Sequence, residues 1–369
     1  MSTRAEASDP VLGQRALNRA LLARQLLLSR SPLPVAAAIE HLVGLQAQAP
    51  MAPYIGLWTR LDGFRPEHLA DLITDRRAVR IALMRSTIHL VTDDDCLSFR
   101  PVVQPVIDRS LQGNFGRRLA GLDPAPLAAA GRALVEEQPR TFSELGKLLA
   151  ERWPDRDPDA LALAIRTLVP LVQMPPRGIW GKGGLPVHAS AEAWLGRSLA
   201  ANPWPDAMIL RYLAAFGPAS VADVQTWSGL SGLREVVEQL RPRLRTYRDE
   251  HGQELFDLPD APLPDPETPA PPRFLPEFDN ALLSHADRTR IIADADRPRV
   301  FTKGALLVDG FVRGTWSIDQ RRRAAALTIS TFTRLSSEEE AAVTDEGARL
   351  VAFAAAGAET RDVRITGPD

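Results

Sequence analysis

Between residues 206 and 258 the chain lays out three short helical segments and then a two-stranded hairpin. This succession constrains the fold more than any other feature. The stretch 206–216 is helical in pattern, and Gly217-Pro218 stops it. Ser220-Val221-Ala222-Asp223 opens a second helix, with an acid three places after a serine to complete a capping box, and it continues to Trp227. Gly229 and Gly232 bracket a turn. Leu233, Val236, Val237 and Leu240 then fall on one face of a third helix, which Arg241-Pro242 ends. Segments 244–248 and 254–258, joined across Asp249-Glu250-His251-Gly252, alternate as paired strands. Three helices and a hairpin make a winged helix.

The same plan recurs upstream. In 125–200, a helix over 127–137 precedes a second that starts on the capping box Thr141-Phe142-Ser143-Glu144. A third spans 157–167, and a wing is expected from 169–172 and 179–182 across Pro175-Pro176-Arg177-Gly178. In 11–124, a long helix over 11–29 is followed by one that opens at Ser31 and Pro34 and carries Ile39, Leu42 and Val43 toward Gln46. A third covers 66–75, and strands 79–84 and 87–92 form a wing with Arg85-Ser86 in its turn. Asp93-Asp94-Asp95 reads as a helix cap. Residues 201–261 make the third unit, and the proline-dense stretch 262–272 is a linker. Beyond it, 273–369 holds short β runs at 290–292, 305–308, 311–316 and 326–330, with Asp309-Gly310 as a two-residue hairpin turn. A helix from Ser337 capped by Glu340 and a closing strand at 361–366 complete it. The expected fold class is therefore α+β: tandem winged-helix (helix-turn-helix) units followed by a C-terminal β-barrel-like domain.

Composition narrows the chemistry. With 369 residues and 45% hydrophobic content, several ordinary cores are available. The formal charge of −2 speaks against a strongly basic protein, yet a local basic face remains open because phosphates sense charge only within about 8–10 Å. A single cysteine, Cys96, supports neither a disulfide framework nor a thiolate metal site. Six histidines without metal-ligand spacing imply no metal, and the lack of glycine-rich phosphate loops implies no nucleotide cofactor. No apolar run reaches the roughly 20 residues of a membrane span, and no secretory leader is visible, so a cytoplasmic protein is expected.

One motif carries chemistry. Gln46 and Gln48 flank Ala47 just before Ala49-Pro50. A glutamine pair can hold a water or a base edge, but it does not accept a proton at neutral pH. A substrate worked on by such a pair must already be primed to break. Residues i and i+2 do not share a helix face, so both side chains reach one site only if the helix ends near Gln46. Proline at 50 pushes Ala49 toward an extended conformation, which favours that ending. The competing reading of the pair is a solvated helix end.

Gln46-Ala47-Gln48, the wing-like Met84-Arg85-Ser86-Thr87-Ile88-His89-Leu90-Val91 and the block 275–290 (Leu-Pro-Glu-Phe-Asp-Asn-Ala-Leu-Leu-Ser-His-Ala-Asp-Arg-Thr-Arg) together resemble the winged-helix DNA glycosylases. This is the family of the azinomycin B resistance glycosylase, which unhooks DNA interstrand crosslinks. The resemblance covers about 11–369. It implies tandem winged helices with a C-terminal β-barrel, and a catalytic glutamine–apolar–glutamine motif that falls on Gln46 and Gln48. A related branch has an acid in the second place; Gln48 puts this chain with the crosslink-unhooking branch. The implied partner is double-stranded DNA carrying alkylated purines, with no cofactor, no membrane and a monomeric enzyme acting at the nucleoid. The implied role is DNA repair, including self-resistance to an alkylating antibiotic.

On such an enzyme, Arg85, Thr87 and His89 in the first wing are candidate DNA contacts. So are His285 and Arg288 in the family block, and Arg321, Arg322 and Arg323 at an expected hairpin tip. Each has a plainer reading: a half-buried strand histidine for His89, a turn tie for His285, a solvated tip for the arginines. Trp58, Trp180 and Trp316 read as core, with stacking conceivable for Trp180. A Ser–His–Asp hydrolase built on Ser284-His285-Ala286-Asp287 fails, because triad members are rarely sequence neighbours and no nucleophile elbow exists. A non-catalytic winged-helix DNA-binding protein or transcriptional regulator is the alternative function, and a protein-interaction scaffold a third.

Overall fold

The computed structural model describes residues 9–300, 302–321 and 323–368. It is a mixed α+β chain in two compact units. One comprises Pro32–Pro205 with Trp227–Ser231. The other comprises the chain up to Ser31, Asp206–Thr226 and everything from Gly232 onward. The two units do not follow the sequential boundaries expected above: residues 9–31 group with Asp206–Thr226 and the residues from Gly232, and Gln46 lies in the other unit.

The first unit is organised by one antiparallel sheet of six strands, in the order Leu45–Gln46, Ile88–Thr92, Ala78–Ala82, Leu171–Gln173, Val187–Ser190, Arg140–Thr141. The expected pairing across Arg85-Ser86 is present, with Ala78 opposite Thr92 and Ala82 opposite Ile88. The second hairpin is not the expected one. Leu171–Gln173 pairs with Val187–Ser190 instead of with 179–182. The intervening segment carries Pro175, Pro176 and four glycines, of which Gly178, Gly181 and Gly184 adopt positive φ, so it leaves the ladder as a loop. The two hairpins then join edge to edge through Arg80–Gln173 and Ile81–Val172. Helices Pro124–Glu137, Phe142–Arg152 and Pro158–Leu168 close over a core of Leu127, Leu145, Leu149, Leu161 and Ile165. The middle helix starts on the Thr141–Glu144 capping box.

The second unit holds a three-stranded and a five-stranded sheet. Helices Asp206–Phe216, Val221–Ser228 and Arg234–Leu240 precede the hairpin Arg245–Asp249/Glu254–Asp257. The expected helix over 11–29 is shorter. Val11–Leu12 adds to the hairpin as a parallel strand, the helix runs only over Gln14–Arg24, and Leu26 at φ 56° breaks what would continue it. The five-stranded sheet is Arg273–Leu275, Gly304–Val308, Phe311–Arg321, Ala324–Thr331, Thr360–Thr366, in that spatial order. Asp309 and Gly310 both take positive φ in the tight turn between the second and third of these. The sheet is open, not the barrel expected: its two edge strands pair only inward. Thr360–Thr366 returns parallel to Ala324–Thr331 by way of helix Ser337–Ala354. That helix is capped by Ser336 with Glu339, one residue earlier than expected. Residues 290–292 form a turn and not a strand; Ile291 accepts from the Val312 amide.

Candidate active site

The glutamine motif sits at the edge of the six-stranded sheet, not at a helix end. Helix Val35–His41 stops when Val43 and Gly44 turn left-handed, at φ 55° and 82°. A Cβ on Gly44 would lie 2.6 Å from Val91 Cγ1, so only glycine lets the chain turn this closely against the neighbouring strand. Leu45–Gln46 then pairs with the strand Ile88–Thr92, with Gln46 opposite His89. The Ala47 amide continues the ladder to the Ile88 carbonyl at 2.7 Å. Extended backbone replaces the helix end anticipated from sequence. The strand ends at Gln46 and Gln48 lies in the bend that follows, so the i, i+2 spacing is not constrained by a helix face.

The two side chains are held differently. Gln46 is 7% exposed, and its Oε1 accepts from Arg85 Nη2 at 2.7 Å. Gln48 is exposed, and its Oε1 receives the Ile88 amide at 3.4 Å. Arginine and a backbone N–H only donate, so the atom of each glutamine that faces them is the oxygen. Each carboxamide keeps one oxygen lone pair and both N–H hydrogens for something else.

Arg85 organises the turn. It and Ser86 sit at φ 55° and 59°, a left-handed pair that carries strain of about 1–3 kcal/mol per residue when neither is glycine. Neighbouring groups hold the pair there. Arg85 Nη1 donates to the Trp227 carbonyl, Arg166 donates to the Ser86 carbonyl at 3.2 Å, and the Thr87 hydroxyl closes on the Met84 carbonyl. Beneath the motif lies Arg80, 2% exposed. Its Nη2 donates to the Ala47 carbonyl at 2.8 Å, and Nε and Nη2 both reach Gln173 Oε1. Gly178 covers it closely, with a would-be Cβ 2.7 Å from Arg80 Cδ. Tyr54 fixes that cover by donating to the Gly178 carbonyl while accepting from the Trp180 amide.

His89 does not face solvent. It is fully buried in the central part of the sheet, and its Nδ1 donates to the Thr87 carbonyl at 3.0 Å, which leaves Nε2 as the lone-pair nitrogen. Burial first, and the charge of Arg85 second, push its pKa down to about 3, so the ring is neutral at pH 7. A direct contact of His89 with DNA is thereby corrected. Arg85 and Thr87 stay half-buried around Gln46.

The other candidates lie in the second unit. His285 is 1% exposed and tied to Ser284 Oγ and the Phe216 carbonyl, a turn fastener and not a phosphate contact. Arg288 is half-buried, with Nε near the His285 carbonyl at 3.4 Å. Arg321 and Arg323 are exposed and pair with Asp319 and Glu359; Arg322 lies outside the described residues. Gln46, Gln48, Arg85, Thr87 and His89 are thus gathered at one sheet edge, and the remainder are not among them. Arg80, Arg166 and Gln173 were missed. In sequence, Arg80 sits in a strand pattern where an arginine reads as pointing to water.

The family model described as DNA glycosylase AlkZ-like matches residues 39–353. Among solved structures, the Streptomyces sahachiroi DNA glycosylase AlkZ superposes with a TM-score of 0.74 over 96% of this chain and 100% of that one, at 19% identity, a likeness of fold. No curated protein sequence matches. The match over 39–353 spans most of the chain, including the glutamine motif and its arginines, and by it the chain belongs to the AlkZ-like DNA glycosylase family.

Proposed function

We propose that the chain is a monofunctional DNA repair glycosylase that hydrolyses the N-glycosidic bond of N7-alkylated purines, bulky adducts and interstrand crosslinks included. Gln46 and Gln48 orient the attacking water. The carrying observation is that both carboxamide oxygens are fixed by donors, at Arg85 and at the Ile88 amide, while each keeps a lone pair free beside an exposed edge. The nearest histidine is held neutral by burial.

Alkylation at N7 places a positive charge on the purine. The C1′–N9 bond then breaks with its electron pair passing into the base, which leaves neutral. The sugar becomes oxocarbenium-like, water adds to C1′, and the water's spare proton passes to solvent. Such a sugar needs no strong base to be trapped; it needs a water in the right place, and positioning of that kind supplies much of a barrier reduction. An acid in place of Gln48 would assist neutral lesions, so the amide pair predicts a preference for cationic ones. The helix–helix–helix–hairpin segment over 206–257 is read as a winged helix that grips the duplex. A bulky adduct does not fit a snug pocket, so full base flipping is not required.

The test is release of 7-methylguanine from duplex DNA. The wild-type chain should release it, and Gln46→Ala and Gln48→Ala should each slow release by about 10- to 1000-fold. A chain that binds one DNA sequence tightly and frees no base from any lesion of a cationic and neutral panel is a regulator instead.

A further inference from the structure

The structure assigns Arg80 as the positioning residue of the glutamine pair: by holding the Ala47 carbonyl, it fixes the peptide that separates Gln46 from Gln48. This rests on the function proposed above and deepens it.

Arg80 lies on the strand Ala78–Ala82, opposite Gln173 in one direction and Leu90 in the other. Its guanidinium spans three segments, reaching Gln173 Oε1 with Nε and Nη2 and the Ala47 carbonyl with Nη2. Among the described residues no carboxylate pairs with it, and Nη1 is buried without an acceptor. A buried charge answered only by neutral oxygens is unfavourable for folding, since the lost hydration is incompletely replaced. A core residue with a purely structural task would do better apolar or paired. The geometry supplies another reason for a guanidinium. The Ala47 N–H is fixed to Ile88 and the Ala47 C=O to Arg80, so both sides of this residue are pinned. Rotation of the 47–48 peptide would swing Gln48 away from Gln46. A hydrogen bond from an ionised donor is about twice as strong as a neutral one, which suits a carbonyl at the end of a two-residue edge strand. A Cβ at Gly178, φ 88°, would lie 2.7 Å from Arg80 Cδ, so the absence of a side chain there leaves the guanidinium its place.

Arg80→Met keeps length and packing and removes every donor. Arg80→Lys keeps the charge but places its donors on one nitrogen in place of three. In single-turnover release of 7-methylguanine, Arg80→Met should fall at least about 30-fold while affinity for the same duplex changes less than about twofold; Arg80→Lys should recover part of the loss. Amide hydrogen exchange across 45–49 should speed up at least about tenfold in Arg80→Met and stay unchanged in the strands Ile88–Thr92 and Val187–Ser190. If Arg80→Met does not fold, Gln173→Leu, which frees Arg80 from its cross-strand anchor, should show the same two effects more weakly. Wild-type release rates in Arg80→Met alongside inactive Gln46→Ala and Gln48→Ala overturn this assignment alone. Unchanged exchange at 45–49 overturns it whether or not the chain releases bases. A wild-type chain inactive on every lesion overturns the proposed function, and the exchange result still decides Arg80.

Discussion

Two fully buried arginines, Arg24 in one compact unit and Arg80 in the other, are held in opposite ways. In the unit built on the five-stranded sheet, several arginines meet carboxylates. Arg24, fully buried, grips Asp257 with two parallel bonds of 2.6 and 2.8 Å, and Arg19 meets Asp309. Arg30 and Arg273 share Glu346, and Arg290 lies 3.9 Å from Asp223. In the unit that carries Gln46, ion pairs such as Arg118–Asp157 and Arg197–Asp93 sit at the surface. In the same unit, buried Arg80 takes the oxygens of Ala47 and Gln173, buried Arg100 those of Gln104 and Thr167, and half-buried Arg166 that of Ser86. Burial pulls Arg80 and Arg100 down to about 10 and lowers Arg166, yet all three stay charged at pH 7. Clipped charges hold a fold together. Arg80, held by neutral oxygens instead, fixes the Ala47 carbonyl at the glutamine pair. The contrast sets Arg80, under the glutamine pair, apart from a carboxylate-paired arginine such as Arg24.

The largest effect expected from this contrast is on the clipped side. Asp257→Leu leaves Arg24 buried without its partner and should lower unfolding free energy by about 3–5 kcal/mol in urea titration. A loss below about 1 kcal/mol would erase the distinction between the two arginines. Next comes acid. The pKa values of His89 and His285 are held down to about 3, and that of His188 to about 4, burial being the first cause in each. At pH 7 these rings are neutral folded or unfolded. As pH falls below the ordinary value near 6.5, the unfolded chain takes up protons that the folded one refuses. Stability is therefore lost from about pH 6.5 down toward 3–4, at about 1.4 kcal/mol per pH unit for each ring. Two of the three belong to the Gln46 unit, so His89→Leu should visibly flatten the decline of melting temperature between pH 6.5 and 5. An unaltered slope would mean that His89 is protonated in the fold.

How much of this was written locally explains what sequence could and could not give. The capping boxes at Thr141–Glu144 and Ser220–Asp223, the hairpin after Arg241-Pro242 and the Asp309-Gly310 turn depend on neighbours within a few residues, and they are legible as such. The glutamine pair was legible as a motif, but its backbone was not: Val43 and Gly44 convert an expected helix end into an edge strand. Pairing across long separations was hidden. Nothing near 171 announces that its partner is 190 and not 180, or that Arg80 will face Gln173. Arg80 itself stands in Ala-Val-Arg-Ile-Ala, a pattern that puts an arginine in water; only the joining of two hairpins buries it. The five-stranded sheet does not close among the described residues, and strand runs alone do not say whether the first and last strands meet.

The smallest expected stability change is the most discriminating. Arg80→Met removes an uncompensated charge from the interior, which favours folding. It also strips donors from two acceptors, one of them the buried Ala47 carbonyl, which opposes folding by about 1–3 kcal/mol. Half-buried Gln173 can turn its amide to water, so most of the opposing effect rests on Ala47 alone. The two contributions offset, and the unfolding free energy should move by no more than about 1 kcal/mol in either direction. Arg24→Met, the matched change in the other unit, leaves Asp257 buried as a lone carboxylate and should be far more damaging. Equal losses for the two methionine variants would mean that Arg80 is a structural clip like Arg24, paired with carbonyls in place of a carboxylate. A near-neutral Arg80→Met beside a crippled Arg24→Met would show that the guanidinium under the glutamines is retained for what it does to their backbone, since the fold itself does not need it.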